Sequence, residues 1–285
     1  MIHRTLRRLA AFIPLCVVLT GPAITASAEY AYGADPLQKL DFWTAAGAQP
    51  APLIVFVHGG GWNRGDKSKA TGERKVEHLT GEGFAFASID YRLVPAATVE
   101  QQAADVAAAV AWLRHDAARF GIDPSRIVLM GHSAGAHLVA LVGTDPRYLV
   151  AAGLSLQDIR GVITLDGACY DVPRQIADAG PLMRSTYREA FGTEPVRQRA
   201  LSPTLQPISA DGPAFLIAHI DRTDGTAQSE ALATVLKQAG RSVEIDDFNG
   251  TGLRGHMEIN RELGSADYPA TAIVDSWLRK VIGPK

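Results

Sequence analysis

Cysteine is almost missing from this sequence. There are two, and only Cys169 lies outside the apolar N-terminal stretch that holds Cys16. A chain that loses that stretch carries a lone thiol, so no internal disulfide can hold it and its stability must come from a core. Cys169 follows a strand-like run and reads as a small semi-buried residue rather than a nucleophile. An excess of one charge is also lacking: 28 Lys and Arg stand against 30 Asp and Glu, a net charge of −2. No basic field therefore points to nucleic acid or anionic lipid, and no run of like charge forms an interaction tail. Internal repeats and low-complexity segments are absent. Phosphate-cradle signatures are missing too, with neither G-K-[ST] nor a G-x-G-x-x-G that opens a helix.

What is present is an ordinary globular composition, 47% hydrophobic and 20% charged over 285 residues. That length suits one large α/β domain. The N-terminus stands apart. Arg4, Arg7 and Arg8 precede an apolar run from Leu9 to Leu19, and Ala26-Ser27-Ala28 closes it. A basic region, a short apolar run and an A-x-A site are the layout of a secretory signal peptide over residues 1–28, and the run is too short to span a bilayer. The expected mature chain is residues 29–285, exported to the periplasm or the medium with no stable membrane association.

Apolar runs of strand length recur along that mature chain: "PLIVFV", "FAFASID", "RIVLMG", "RGVITLDG" and "PAFLIAHI". They are continuous rather than alternating, as suits strands covered on both faces of a parallel sheet. "RSVEIDDF" alternates like an edge strand. Helical patterns lie between them. In "VEQQAADVAAAVAWLRHDAARFG", Val106, Val110 and Leu113 share a face and Gly121 stops the run. "SEALATVLKQAG" and "PATAIVDSWLRKVIG" also close on glycine. This alternation predicts a single doubly wound domain. One connection, residues 168–212, is long and proline-rich, with Met183, Tyr187 and Phe191 on one helical face. Such an insert reads as a small cap.

The chemistry centres on "MGHSAGAHL", in which Gly131-His132-Ser133-Ala134-Gly135 is a G-x-S-x-G pentapeptide. It falls between a strand and a helix, which is the context that makes the motif specific. The flanking glycines allow close approach of two chain segments, so Ser133 can adopt strained angles with Oγ exposed. The helix start behind it directs N–H groups toward developing negative charge. Serine needs a base. In the chain order Ser…Asp/Glu…His, only His219 and His256 follow far enough. His219 lies inside a core strand, whereas His256 sits in the glycine-rich "NGTGLRGHMEIN", read here as a loop over the sheet's carboxyl end. The acid is expected just after "PAFLIAHI", where Asp221 ends the strand and Asp224 precedes Gly225; strand-end position favours Asp221. "VHGGGW", His58 to Trp62 without its leading valine, leaves backbone N–H groups uncovered after a strand, as an oxyanion hole requires.

Taken together, "VHGGGWNRGDK", "IDYRLVP", "GHSAGAHLVAL", "ITLDGACYDV", "AQSEALATVLKQAG" and "GHMEIN" make the chain resemble the α/β-hydrolase superfamily, in its hormone-sensitive-lipase-like and kynurenine-formamidase-like esterase branch. The resemblance implies a mostly parallel central sheet with helices on both faces and a small cap insertion. It implies Ser133, Asp221 and His256 as triad, since the acid in such proteins precedes a Gln-Ser pair by seven positions and Gln228-Ser229 points back to Asp221. "HIDRTDG" departs from the usual Gly-x-x-Asp ending of that loop. The implied oxyanion donors are the N–H groups of Gly60, Gly61 and Ala134, with His58 and Trp62 shaping the loop and acyl pocket. Asp66-Lys67 and Tyr91-Arg92 would be structural polar contacts below the site. The expected activity is hydrolysis of small to medium acyl esters through an acyl-enzyme, needing no metal or organic cofactor. Formamide hydrolysis is the second enzymatic reading, and a non-catalytic binding protein on the same fold the third.

Overall fold

The computed structural model describes residues 27–283. The expected signal peptide thus falls almost wholly outside the described residues, and only its last two positions lie within them. Among the described residues one eight-stranded sheet organises the chain, in the order β1-β2-β4-β3-β5-β6-β7-β8. Its strands are β1 (Ala28–Ala31), β2 (Lys39–Trp43), β3 (Ala51–Val57), β4 (Ala85–Ile89), β5 (Ile122–His132), β6 (Gly161–Leu165), β7 (Ala214–Asp221) and β8 (Val243–Thr251). β1 and β2 pair antiparallel, β2 meets β4 antiparallel, and every pairing from β4 through β8 is parallel.

The continuous apolar runs have a direct structural counterpart. All seven residues of β3 are buried. Successive side chains of a strand point to opposite faces, and here Leu53, Val55 and Val57 enter one core while Ile54 and Phe56 enter another. Helix α1 (Glu73–Gly81) covers the second face, and α2 (Val99–His115) covers the first. α2 opens with a reciprocal capping box between Thr98 and Gln101. The periodicity suggested one helix to Gly121. The chain instead turns at Asp116 and restarts as the short α3 (Ala117–Phe120), which Gly121 ends in the left-handed conformation.

α4 (Ala134–Thr144) follows β5 and is buried along its whole length. α5 (Pro146–Ala151) follows it, and residues 168–212 fold into α6 (Val172–Asp178), α7 (Pro181–Phe191) and α8 (Pro195–Ala200). The proline-rich stretch therefore makes helices rather than open loop. Each of the three has proline in its first turn, where the missing N–H would be unpaired anyway. α9 (Thr223–Gln238) returns to the first face, while α10 (Gly252–Arg261) and α11 (Pro269–Ile282) complete the second.

α10 differs from the sequence expectation, because the glycine-rich segment around His256 is a tight strand-to-helix turn, not a loop. A Cβ on Gly255 would lie 2.7 Å from the carbonyl carbon of Gly250, so both glycines are needed for the helix to fold back on the strand end. β8 is the edge strand, pairing with β7. No helix among the described residues is long and apolar enough to cross a membrane.

Candidate active site

Ser133 sits between the end of β5 and the start of α4, at φ 56° and ψ −119°. That is a strained conformation for a residue with a side chain. It persists because its surroundings determine it: Ser133 N–H donates to Leu165 O at 3.0 Å, and Ser133 O accepts from His137 N–H at 3.2 Å. The pentapeptide glycines are required by close approach. A Cβ on Gly135 would run into the Val57 carbonyl, and one on Gly131 into the Gly135 carbonyl. The serine hydroxyl is thus presented at the carboxyl edge of the sheet, on a cavity of about 630 Å³.

The glycine loop after β3 faces Ser133 across this cavity. Gly60 and Gly61 have φ of 129° and 61°, and both line the cavity with Ala134 and Trp62. Ala134 opens α4, so its N–H is among those a helix leaves unpaired. Gly59 belongs with them, since a Cβ there would lie 2.9 Å from Ser133 Cβ. Trp62 has a largely structural position. Its ring is 2% exposed and meets His137, Tyr187 and Phe191 edge-on at 5.5, 6.0 and 4.7 Å. Its Nε1–H donates to His137 Nδ1 at 3.3 Å, and His137 Nε2–H in turn donates to Leu201 O. The tryptophan therefore ties the glycine loop to the 168–212 segment, whose α7 contributes Met183, Thr186 and Tyr187 to the cavity wall. His58 stacks on Tyr91 at 4.4 Å beneath the loop. The expected lower contacts are present as Lys67 on Asp41 at 2.8 Å and Arg92 on Asp105 at 2.6 Å.

His256 lines the same cavity, from the second turn of α10. Its carboxylate partner is not Asp221. His256 Nδ1–H donates to Asp166 Oδ2 at 2.5 Å. Asp166 directly follows β6, fully buried, at φ 44°. β6 lies beside β5, the strand that leads into Ser133, so its end is adjacent to Ser133, whereas β7 is one strand further away. Asp221 still belongs to the β7–β8 ladder, opposite Thr251, and its side chain is exposed. Asp224 lies in the first turn of α9, where its Oδ2 accepts from Gln175 Nε2 at 3.0 Å. The residue that the β7 end delivers to the site is a cation: Arg222 Nε lies 3.1 Å from Asp166 Oδ2. Burial alone would raise the Asp166 carboxyl, but the hydrogen bond from His256 and the charge of Arg222 outweigh it and hold the group below its ordinary range. Asp166 was legible in one respect, as a carboxylate ending an apolar strand within the order Ser…Asp…His.

Two buried groups hold His256 in place. His132 Nε2–H donates to the backbone carbonyl of His256 at 2.8 Å, and the two rings lie 4.6 Å apart. Burial, then the neighbouring His256, lowers the His132 pKa to about 3, so it is a neutral ring with its proton on Nε2. One turn along α10, Asn260 meets Lys75. The Lys75 amine lies 2.6 Å from Thr71 O, 3.0 Å from Asn260 O and 2.7 Å from Asn260 Oδ1. His219 is buried in β7, 3.7 Å from Asp247. His115 is exposed, and His78 is paired to Asp275 at 2.8 Å and joins α1 to α11. Among the described residues no cluster of His, Cys, Asp and Glu is arranged to hold a metal ion.

A doubly wound sheet with a strained serine at the β5–α4 turn, a buried Asp–His pair and a glycine loop define an α/β-hydrolase of the serine-esterase type. The chain belongs to the BD-FAE family, which matches residues 40–236. It is 28% identical to esterase LipC of Mycobacterium tuberculosis over 85% of this chain and 66% of that protein. It is 30% identical to carboxylesterase NlhH of the same organism over 72% of this chain and 67% of that protein. It spans 49–56% of the length of three plant relatives. Among solved structures it resembles Thermogutta terrifontis esterase 2 phosphonylated by sarin, with TM-score 0.74 and 27% identity over 93% of this chain and 99% of that one.

Proposed function

We propose that this chain is a serine carboxylesterase acting on small to medium acyl esters, with Ser133 as nucleophile, His256 as base and Asp166 as the acid. The observation that carries the reading is that Ser133, the glycine loop and His256 with its buried carboxylate open onto one cavity. His256 Nε2 takes the Ser133 Oγ proton as the oxygen attacks the ester carbonyl, and Asp166 fixes the opposite tautomer and balances the imidazolium. The N–H groups of Gly60, Gly61 and Ala134 receive the oxyanion; one such donor is worth roughly 10²–10³-fold in rate. Water then hydrolyses the acyl-enzyme with the same histidine as base.

Support comes from the relatives, named as esterases, and from the Thermogutta enzyme, which is recorded with sarin-derived and butyrate-bound forms. A cavity of about 630 Å³, the size of a small-molecule site, supports short to medium acyl groups over lipid aggregates. The N-terminal pattern supports export to the periplasm or medium, and N-terminal sequencing of the secreted protein should begin near Glu29. The deciding measurement is hydrolysis of p-nitrophenyl esters from acetate to palmitate by wild type and Ser133→Ala. Loss in the variant by about four to six orders of magnitude is expected. Equal rates on every ester, with N-formyl amides cleaved instead, would replace the ester reading by the formamide one.

A further inference from the structure

We propose that Arg222 is a positioning residue that sets the pH range of the His256 base by sharing the carboxylate oxygen on which His256 rests. The inference builds on the assignment of Asp166 and His256 just made. Asp166 Oδ2 receives two partners, His256 Nδ1 at 2.5 Å and Arg222 Nε at 3.1 Å. The arginine Nε–H is not directed along a hydrogen bond to that oxygen, so the contact acts through charge rather than through directional bonding. Its Nη1 lies 3.8 Å from Asp224, and its guanidinium also lines the cavity. The aspartate is completely buried and the arginine side chain only 19% exposed, so solvent screens this pair weakly.

The other charged and titratable groups around His256 do not duplicate the effect. His132, on β5, is neutral and donates to the His256 carbonyl. Lys75, on α1, faces Asn260 and Thr71 oxygens. His219 and Asp247, on β7 and β8, face each other. Arg254 and Glu258, on α10 itself, form a loose pair at 3.9 Å. Tyr268, just before α11, is held neutral by burial, its pKa pushed up to about 12. Arg64, Lys69 and Arg261 also line the cavity, but all three are exposed to solvent, with Lys69 beside Asp66 and Arg261 on Glu262, so their charges are screened. Asp166 and Arg222 are the opposed charges most shielded from solvent beside the imidazole, with Asp224 moderating the arginine.

The direction follows from the signs. An unopposed carboxylate favours the imidazolium, and an adjacent cation offsets that preference. Removing the guanidinium leaves Asp166 acting alone, so the base stays protonated, and inactive, to higher pH.

The test is the pH dependence of kcat/KM on p-nitrophenyl acetate, a neutral ester whose binding carries no charge term. It compares wild type, Arg222→Gln, Arg222→Lys and Asp224→Asn. Wild-type hydrolysis that disappears in Ser133→Ala first establishes the esterase reading independently of Arg222. The acid limb should then move up by about half to one pH unit in Arg222→Gln, as expected for a charge at this range in partly screened surroundings. Arg222→Lys should return it toward wild type, because charge and not the planar fork is required. Asp224→Asn, a partly exposed position that should fold even if Arg222→Gln does not, should move the limb the other way. An acid limb unmoved in Arg222→Gln, or unmoved in Asp224→Asn where the first variant fails to fold, would overturn the proposal. Loss of rate with an unchanged limb would make Arg222 a purely structural residue.

Discussion

His256 and Asp166, 90 residues apart in sequence, share a 2.5 Å hydrogen bond from imidazole Nδ1 to carboxylate Oδ2. The bond joins the second turn of α10 to the end of β6, the strand beside β5, which leads into Ser133. The β7 end, where the sequence pattern placed the acid, contributes Arg222 to the same carboxylate instead.

Exchange of the carboxylates separates the two assignments. Asp166→Asn should lower kcat by roughly 10⁴-fold, since an amide supports the wrong tautomer of the histidine. Asp221→Asn, at an exposed side chain, should stay within about twofold of wild type, as surface substitutions do. Steady-state kinetics of the two variants side by side decides the matter; the reverse ranking would restore Asp221.

The variable position of the pentapeptide is a support for the base. His132→Ala removes the N–H that holds the His256 carbonyl and the ring that packs on it. A small displacement of a catalytic group costs up to about 10²-fold, so kcat should fall 10- to 100-fold with KM little changed. Circular dichroism should show the fold retained. A kcat equal to wild type would mean that α10 holds His256 unaided.

Stability should depend on pH through Lys75. Burial brings its pKa down to about 7 from an ordinary value of 10.5. Between these two values the unfolded chain binds the proton more tightly than the native one, so this residue's contribution to stability rises with pH and is lost as pH falls through 7. The slope is at most ~1.4 kcal/mol per pH unit. The difference in unfolding free energy between wild type and Lys75→Met, measured in urea, should therefore shift in favour of wild type from neutral to alkaline pH. A difference independent of pH would show that the three oxygens around the amine hold it charged throughout.

Cys169 is fully buried, and burial raises its thiol well above the ordinary range. Thiolate is the reactive form. The native protein should thus be inert to Ellman's reagent, with one thiol titrating in denaturant from the described chain. Rapid labelling of the folded enzyme would contradict the packing seen around α6.

Much of this arrangement was readable in advance where local pattern and tertiary environment demand the same residues. β3 to β7 are continuous apolar runs because both faces of a parallel sheet are covered, and each falls within a residue or a few of its expected place. Ser133 was legible because its strain requires small neighbours on both sides, which leaves a mark in the sequence. The glycines after β3 were legible for the same reason. The pairing of β1 with β2, the break at Asp116 and the helical state of the His256 segment were not. A run of glycines records that the chain passes close to something, but not whether it then coils into a helix or stays open.

The sequence by itself determined the class of fold, and it singled out Ser133, His256 and the glycine loop as candidates for one site, because each depends on residue types within a few positions of one another. The tertiary structure alone decided which carboxylate meets the base. Asp166, Asp221 and Asp224 all lie between Ser133 and His256 in order, and all lie at or just beyond strand ends. Strand order and side-chain direction select among them: β6 adjoins β5, and Asp166 turns inward at its end. β7 extends through Asp221 and turns that carboxylate to solvent, sending Arg222 inward in its place. Such a choice rests on contacts between segments far apart in the chain, which no local spacing encodes.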